Sequence, residues 1–295
     1  MTIIRFNALV RLISFDVYHV HTLIVNFVGF LGLAALVKNF KQYGLNQKLT
    51  FLSLLLFPGI LFWTSGVLKE SLLLFTIGFL VHYLFKTLHQ FKLKNVGFLI
   101  VFLLLSLLIK SYVAFCVLIG FVLLLVYRII KDTSVATVLY LFLIPILGIV
   151  ADKILSLKIP ERIYQKQHDF LNELAISQPG SAFEIFVLEP SWWSLIKNAP
   201  FAIGNTLFRP FIWEAHSSIS LLASFEVILL FSIALITFRL KQKVTNEKLK
   251  ITLFLFISAM LISLIVGWVT PVFGALVRYK IPALIFILIA FNLII

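Results

Sequence analysis

Long apolar runs alternate with short segments that carry the charged residues along most of the chain. A helix needs about 20 mostly apolar residues to cross the roughly 30 Å hydrocarbon core of a bilayer. Because continuous apolar runs lack the alternation of barrel strands, the pattern predicts an all-α, polytopic membrane protein with about nine transmembrane helices. The nine predicted spans are residues 23–37, 49–64, 67–85, 96–109, 112–130, 135–151, 219–238, 251–269 and 276–295.

The stretch between the third and sixth spans has one charged residue in its apolar part, Lys110. This stretch is too long for one straight membrane crossing, and it is shorter than two crossings usually need. Lysines lie before it, and Arg128 and Lys131 lie after it. Because basic flanks favour the cytoplasm, both ends are placed on the same side, which requires two crossings with a turn at residues 110–112.

Composition supports a lipid environment. Hydrophobic residues make up 61% of the 295 residues and charged residues 13%, whereas soluble domains have about 45–50% and about 25%. These fractions exclude a cytosolic enzyme, a secreted module and a disordered protein. The one cysteine, Cys116, excludes an intrachain disulfide and a cysteine-based zinc site. We therefore interpret residues 1–295 as a single integral membrane domain.

The distribution of basic residues predicts the orientation. One set of alternate loops carries 13 Lys and Arg residues, and the opposite side carries six when the long segment 152–218 is left out. The first set is therefore expected in the cytoplasm, with the N-terminus outside and the C-terminus inside. The net charge of +13 follows this topology and is not taken to indicate nucleic acid. No cleavable signal peptide is expected.

Residues 152–218 form the one long extracytoplasmic loop of the prediction. Its many aromatic residues argue against disorder. Residues 191–207 are expected to form a helix in the membrane interface, with Ser191 as N-cap and Trp192 and Trp193 at headgroup depth. Two interpretations stay open for this loop: a passive aromatic belt, or a lid over an active site.

Polar residues at the outer ends of the predicted spans suggest a site. With Ser65 as N-cap, the third span would begin next to Lys69, and a helix N-terminus beside a lysine can bind phosphate. The alternative is simple capping with a snorkelling Lys69, and Lys110 allows the same two interpretations.

Arg278 lies in an otherwise apolar run. Because an intramembrane arginine costs at least about 2.5 kcal/mol at the bilayer centre, it is a functional candidate, or else half of a structural ion pair. Glu226, inside the seventh span, is its predicted partner. Gly29 and Gly32 are expected to permit close helix packing. His19 and His21 have no identifiable third ligand, so no metal site is predicted.

Three stretches of the sequence, FPGILFWTSGVLKE (57–70), LFRPFIWE (207–214) and GALVRYKIP (274–282), resemble bacterial polytopic glycan-assembly proteins. These are GT-C-like glycosyltransferases and lipid-linked oligosaccharide polymerases. The resemblance implies an active site at the outer face of the bacterial cytoplasmic membrane. It also implies polyprenyl-phosphate-linked glycan, membrane lipid and other envelope-assembly proteins as partners. Asp16 does not match the catalytic acid of the first outer loop in GT-C enzymes, which suggests a shortened, divergent or inactive member.

The chemistry implied by this resemblance assigns roles to individual residues. Glycosyl transfer from a lipid phosphate needs a base for the acceptor hydroxyl and cations for the phosphate. Glu70 or Glu214 is the predicted base. The predicted phosphate-binding cations are Lys69, Lys110, Arg209, Arg278 and Lys280, and the predicted supporting residues are Ser65, Tyr112 and Tyr279. No cofactor is predicted, and a need for a divalent cation is left open.

Two other functions remain as alternatives. A transporter or flippase of lipid-linked glycans would need polar groups through the bilayer, whereas most polar residues are placed at the outer face. A non-catalytic component of an envelope-assembly complex would keep the same membrane architecture without turnover.

Overall fold

The protein is helical throughout the residues that the computed structural model describes, which are 2–177, 180–240 and 244–295. The α-helices in these ranges are α1 Thr2–Ser14, α2 Tyr18–Phe40, α3 Gln47–Leu55, α4 Pro58–Thr64, α5 Lys69–His89, α6 Leu93–Ile129, α7 Thr133–Leu155, α8 Ile159–Ser177, α9 Trp192–Phe208, α10 Ser218–Leu240, α11 Asn246–Val269, α12 Phe273–Tyr279 and α13 Ile281–Ile294. Helix accounts for 84% of the structure, which confirms the all-α prediction. Two basic residues of the predicted cytoplasmic loops, Lys241 and Lys243, lie outside the described residues.

Six helical segments among the described residues are long and apolar enough to cross a membrane: α2 with the 3₁₀ turn that follows it, α5, α6, α7, α10 and α11. Two bent pairs raise the number to eight if each pair is one span. The axes of α3 and α4 differ by 75°, and those of α12 and α13 by 47°. The helices therefore indicate a multi-pass membrane protein.

Helix α6 reverses direction at Lys110, whose φ of −148° and ψ of 90° are not helical. Before this point Phe102 stacks on Phe79 of α5, with ring centroids 5.0 Å apart. After it, Arg128 Nη2 donates a hydrogen bond to the carbonyl of Leu88 at 2.6 Å. Because Leu88 lies just before the start of α6, both ends of α6 lie beside the same end of α5. The 37 residues of α6 are thus two antiparallel halves.

Helix α13 lies at the centre of the bundle. It is apolar on all sides, as expected for a fully buried helix, and its side chains from Ile281 to Ala290 are all buried. Phe291 packs edge-on against Phe256 of α11, with centroids 5.6 Å apart. Asn292 Nδ2 donates to Ser53 Oγ of α3 at 3.1 Å. The N-terminal end of this helix begins directly after Lys280, so the packing of α13 in the core fixes the position of that lysine.

Helices α2 and α5 approach each other through glycines. A Cβ atom at Gly29 would lie 3.1 Å from Ser71 Cβ, and one at Gly32 would collide with the backbone of Leu74 and Phe75. A Cβ atom at Gly78 would collide with the carbonyl oxygen of Gly32. Small residues permit this backbone-to-backbone contact, which is a main source of helix association in lipid. The close packing predicted for Gly29 and Gly32 is confirmed.

The predicted long loop contains two helices, α8 and α9, and its residues 178–179 lie outside the described ranges. Helix α9 covers the predicted segment 191–207, and Ser191 Oγ accepts a hydrogen bond from Ser194 N at 3.2 Å as its N-cap. Thr206 Oγ1 donates to the carbonyl of Ser263 at 2.7 Å, and a Cβ atom at Gly267 would collide with the carbonyl of Ala202. These contacts run in opposite order along the two helices, so α9 packs antiparallel to α11.

Candidate functional site

The three stretches with the family resemblance meet at one end of the bundle, although they are far apart in sequence. Arg278 of the third stretch donates from Nη2 to Glu70 Oε2 of the first at 2.7 Å, across 208 residues. Lys280 Nζ of the third stretch donates to the carbonyl of Arg209 in the second at 3.3 Å. The fold therefore brings six of the ten predicted site residues into two neighbouring groups, with Tyr112 and Tyr279 beside the first of them.

The first group is a buried charge cluster formed by Glu70, Lys110 and Arg278, named here the Glu70 cluster. Glu70 has 1% of its side chain exposed, and each of its carboxylate oxygens holds one cation. Lys110 Nζ lies 3.0 Å from Oε1, and Arg278 Nη2 lies 2.7 Å from Oε2. With two cations and one anion, the cluster keeps a net positive charge. Arg278 is 28% exposed and is its most accessible member.

Local structure explains how the three charges meet. Glu70 lies in the first turn of α5, where the positive end of the helix dipole favours an acid. Lys110 lies at the reversal of α6, which returns to this end of α5. Arg278 lies in the last turn of α12, where a cation is favoured. Each residue thus suits its own helix end before it contributes to the cluster.

Aromatic residues surround the cluster and leave polar atoms free. Arg278 Cζ lies 5.7 Å from the ring centre of Trp63, and Lys110 Nζ lies 4.3 Å from that of Tyr279. The Tyr112 hydroxyl and Arg278 Nε are buried without a hydrogen-bond partner in the described part of the chain. Since buried polar atoms are usually hydrogen-bonded, these two groups keep a hydrogen-bonding capacity that the described residues do not use.

The second group lies around Lys280, which is 1% exposed. Its Nζ reaches the carbonyl of Arg209, and the Arg209 side chain forms an ion pair with Glu214 at 2.8 Å. Glu214 Oε2 also accepts from the Phe211 backbone N–H at 2.9 Å. The Arg209 guanidinium lies 4.8 Å from the ring centre of Phe183. Glu214 therefore orders the turn after α9.

Glu226 is not the partner of Arg278, contrary to the sequence prediction. It lies on α10, where its Oε2 accepts from the Gly59 backbone N–H at 2.6 Å. Lys280 is close enough to interact with it electrostatically. The prediction is wrong because the 75° bend at residues 56–57 brings α4 against α10, whereas Arg278 faces α5. Glu226 Oε1 is buried and has no hydrogen-bond partner among the described residues.

A cavity of about 400 Å³ lies between α4, α10 and α12. Most of its lining is apolar or aromatic, and Glu226 is the one charged residue among the described residues that line it. Trp63 forms part of the wall and also contacts Arg278, so the cavity adjoins the Glu70 cluster. The shape and chemistry suit a ligand with an apolar part and a polar end.

Ser65 does not cap the third span as predicted. Its Oγ donates to the carbonyl of Phe62 at 3.1 Å, and it is the C-cap of α4. Helix α5 starts four residues later, and its N-cap residue, Leu68, provides no side-chain hydrogen bond. The sequence prediction overlooked the bend between α4 and α5. Lys69 forms no ion pair within the described ranges, but it is close enough to Lys110 to interact electrostatically.

Gly59→Ala is expected to displace the Glu226 carboxylate, because a Cβ atom at position 59 would collide with Oε2. Loss of this buried, charge-assisted hydrogen bond should lower stability by about 1–3 kcal/mol. Thermal unfolding in detergent measures the effect. Gly274→Ala is the matched control, since Gly274 lines the same cavity and its Cβ would meet no atom within 4 Å. Equal melting temperatures for the two variants would contradict the prediction.

Comparison with known proteins identified no relative. The sequence matches no family model, and no significant similarity to a curated protein or to a solved structure was found.

Proposed function

We propose that this protein transfers or polymerises glycosyl units carried on polyprenyl phosphate, at the outer face of a bacterial cytoplasmic membrane. The observation that carries the proposal is the Glu70 cluster, a net positive group with unpartnered donors next to a cavity of about 400 Å³. Like charges held together in a buried site favour an anionic ligand. A lipid-linked sugar phosphate combines the required anion with an apolar chain.

The proposed topology has nine crossings. The six long spans and the two bent pairs give eight, and the reversal of α6 at Lys110 adds the ninth. With the more basic loops in the cytoplasm, the N-terminus is outside. This orientation places the starts of α5 and α10, the turn of α6 and the junction of α12 with α13 at the outer face. All residues of both groups then lie on one side of the membrane.

The phosphate would be held by cations that keep unused donors. Arg278 has five N–H donors and Lys110 has three, and Glu70 accepts one hydrogen bond from each. These preorganised donors would stabilise the charge that develops on the phosphate leaving group. Lys69, Arg209 and Lys280 add positive potential around them.

The base of the reaction is assigned by comparing the hydrogen-bond partners of the three acids. Both oxygens of Glu70 accept from cations, and Glu214 holds Arg209 and a backbone N–H. These two predicted bases are therefore better suited to positioning cations. Glu226 Oε1 has no partner in the described structure and lines the cavity, so Glu226 is the acid proposed to accept the proton of an acceptor hydroxyl.

Turnover in reconstituted vesicles tests the proposal. The vesicles contain a radiolabelled mixed pool of polyprenyl-linked glycans, and the label is followed into longer or newly linked products. Arg278→Ala is expected to lower turnover by about 10²–10³-fold, the loss typical of one removed charge-stabilising donor. Arg278→Lys should retain part of the activity because it keeps the charge. Arg239→Ala removes an exposed arginine at the opposite end of the bundle and should leave turnover unchanged.

Other outcomes would replace the proposal. Label that crosses the bilayer without covalent change would indicate a transporter. Wild-type protein that produces neither change would indicate a non-catalytic component. Normal turnover by correctly inserted Arg278→Ala would remove the Glu70 cluster from the reaction.

A further inference from the structure

A second polar site lies at the opposite end of α5 from the Glu70 cluster. It is a cleft of about 580 Å³ between the last turns of α2 and of α5. We name it the inner cleft. The residues that give it its chemistry are Lys38, Lys41, Lys86, His82, His89 and Asn39.

The inner cleft is strongly basic. Among the described residues, its lining includes three lysines and two histidines and no acid. None of these lysines forms an ion pair in the part of the chain that the structure describes. Glu247 lies close enough to Tyr43, beside the cleft, to interact electrostatically, but it pairs with Lys250 at 2.8 Å. Positive charge therefore accumulates in the cleft without a counterion.

The donors of the cleft are held in place by the helices. Asn39 is 9% exposed, and its Oδ1 lies 2.8 Å from His82 Nδ1. Its Nδ2 is buried and has no hydrogen-bond partner among the described residues. His89 Nε2 lies 2.9 Å from the Tyr43 hydroxyl, which fixes the ring beside the cleft. An unpartnered buried amide is unfavourable, and an acceptor atom supplied by a ligand would remove this cost.

We propose that the inner cleft binds the phosphate headgroup of an anionic membrane lipid. Basic clefts between transmembrane helices on the cytoplasmic side suit such headgroups, because the lysines lie at headgroup depth while the neighbouring helix surfaces face the acyl chains. Phe30 and Leu31, about two helical turns before Lys38 on α2, are exposed apolar residues in the proposed hydrocarbon region. This favours a lipid over a free phosphate as the source of the group.

The inner cleft is separate from the proposed glycan site. Helix α5 has 21 residues, with Glu70 in its first turn and His89 at its end, and the helical rise separates them by about 28 Å. One headgroup cannot reach both sites. The proposal therefore does not depend on the reaction at the outer face.

Lipid binding to the purified full chain in detergent tests the proposal. Short-chain phosphatidylglycerol, short-chain phosphatidylcholine and inorganic phosphate are titrated separately, and bound molecules are counted by native mass spectrometry. The cleft variant Lys38→Ala/Lys41→Ala/Lys86→Ala should raise the Kd for phosphatidylglycerol at least tenfold. The matched control Lys48→Ala/Lys92→Ala/Lys94→Ala removes the same charge from exposed positions on the same face, outside the cleft lining, and should change it less than twofold.

A single variant, Asn39→Leu, distinguishes lipid binding by the structured cleft from attraction by general surface charge. It leaves every lysine in place and should still weaken phosphatidylglycerol binding. Equal effects of the cleft and control triple variants would overturn the proposal, as would equal binding of phosphatidylcholine. Competition by millimolar inorganic phosphate would identify a free phosphate compound as the ligand and would overturn the lipid assignment.

Discussion

Glu70→Gln is expected to destabilise the bundle by about 3 kcal/mol. The substitution keeps the size of the side chain but leaves Lys110 and Arg278 without their shared carboxylate. Removing one partner of a buried ion pair typically costs about 3–5 kcal/mol, and the 28% exposure of Arg278 places the effect at the lower end. The free energy of unfolding in mixed micelles is the measurement.

The exposed ion pair of α11 provides the control. Glu247→Gln removes an acid that is 68% exposed and bonded to Lys250, and surface pairs contribute at most about 1 kcal/mol. A triple variant with leucine at positions 70, 110 and 278 should recover most of the stability, because no buried charge remains unpaired. If that variant also keeps turnover, the cluster is structural only. If Glu70→Gln is no worse than Glu247→Gln, its buried ion pairs do not stabilise the fold.

Gly78→Leu is expected to separate α2 from α5 and to cost about 3 kcal/mol or more. Overpacking by a side chain usually costs about 1–3 kcal/mol. Here the added Cβ would meet the backbone oxygen of Gly32, which cannot move aside as a side chain can. The loss of stability should be measurable as a lower melting temperature and as faster proteolysis of the segment between α1 and α2.

Gly97→Leu is the matched control for this prediction. Gly97 lies in α6, is exposed on the helix surface, and its Cβ would meet no atom within 4 Å. This substitution should leave stability unchanged or raise it slightly, because glycine is a poor helix former. If both glycine variants melt at the same temperature, the contact between α2 and α5 is not a source of stability.

The membrane architecture could be predicted from sequence because each span carries its own signal. Length and hydropathy act over about 20 consecutive residues and do not depend on neighbouring helices. The bends within the two helix pairs α3–α4 and α12–α13 were not predicted, although Pro58 and Pro282 lie in the first turns of α4 and α13, where proline favours a helix start. A continuous apolar run conceals such a break unless the proline is treated as a boundary.

The charged site could be predicted in part. Its members were found because each is polar at the end of an apolar run, but the pairing of Arg278 with Glu226 was wrong. Pairing depends on which helices are neighbours, and sequence separation does not give this for residues 208 positions apart. The contact of Glu70 with Lys110 could have been predicted from the sequence, because the short connection between α5 and α6 makes these helices antiparallel neighbours.

Amphipathic helices outside the apolar runs were also missed. Helix α8 is polar enough to resemble a loop in a search for membrane spans, yet Gln167 in it is buried and donates to the carbonyls of Phe186 and Trp268. The partners of this glutamine come from distant segments. Its structural role is therefore visible only in the folded protein.

The central position of α13 has a consequence for biogenesis. Helices enter the membrane in the order of their synthesis, and α13 follows α1–α12 in the chain. Until it inserts, lipid must occupy the apolar space that α3, α4, α10 and α11 later enclose. A nascent chain halted before residue 281 would leave the inner faces of these helices without the apolar side chains that cover them. Insertion of α13 therefore fills the core that these four helices enclose.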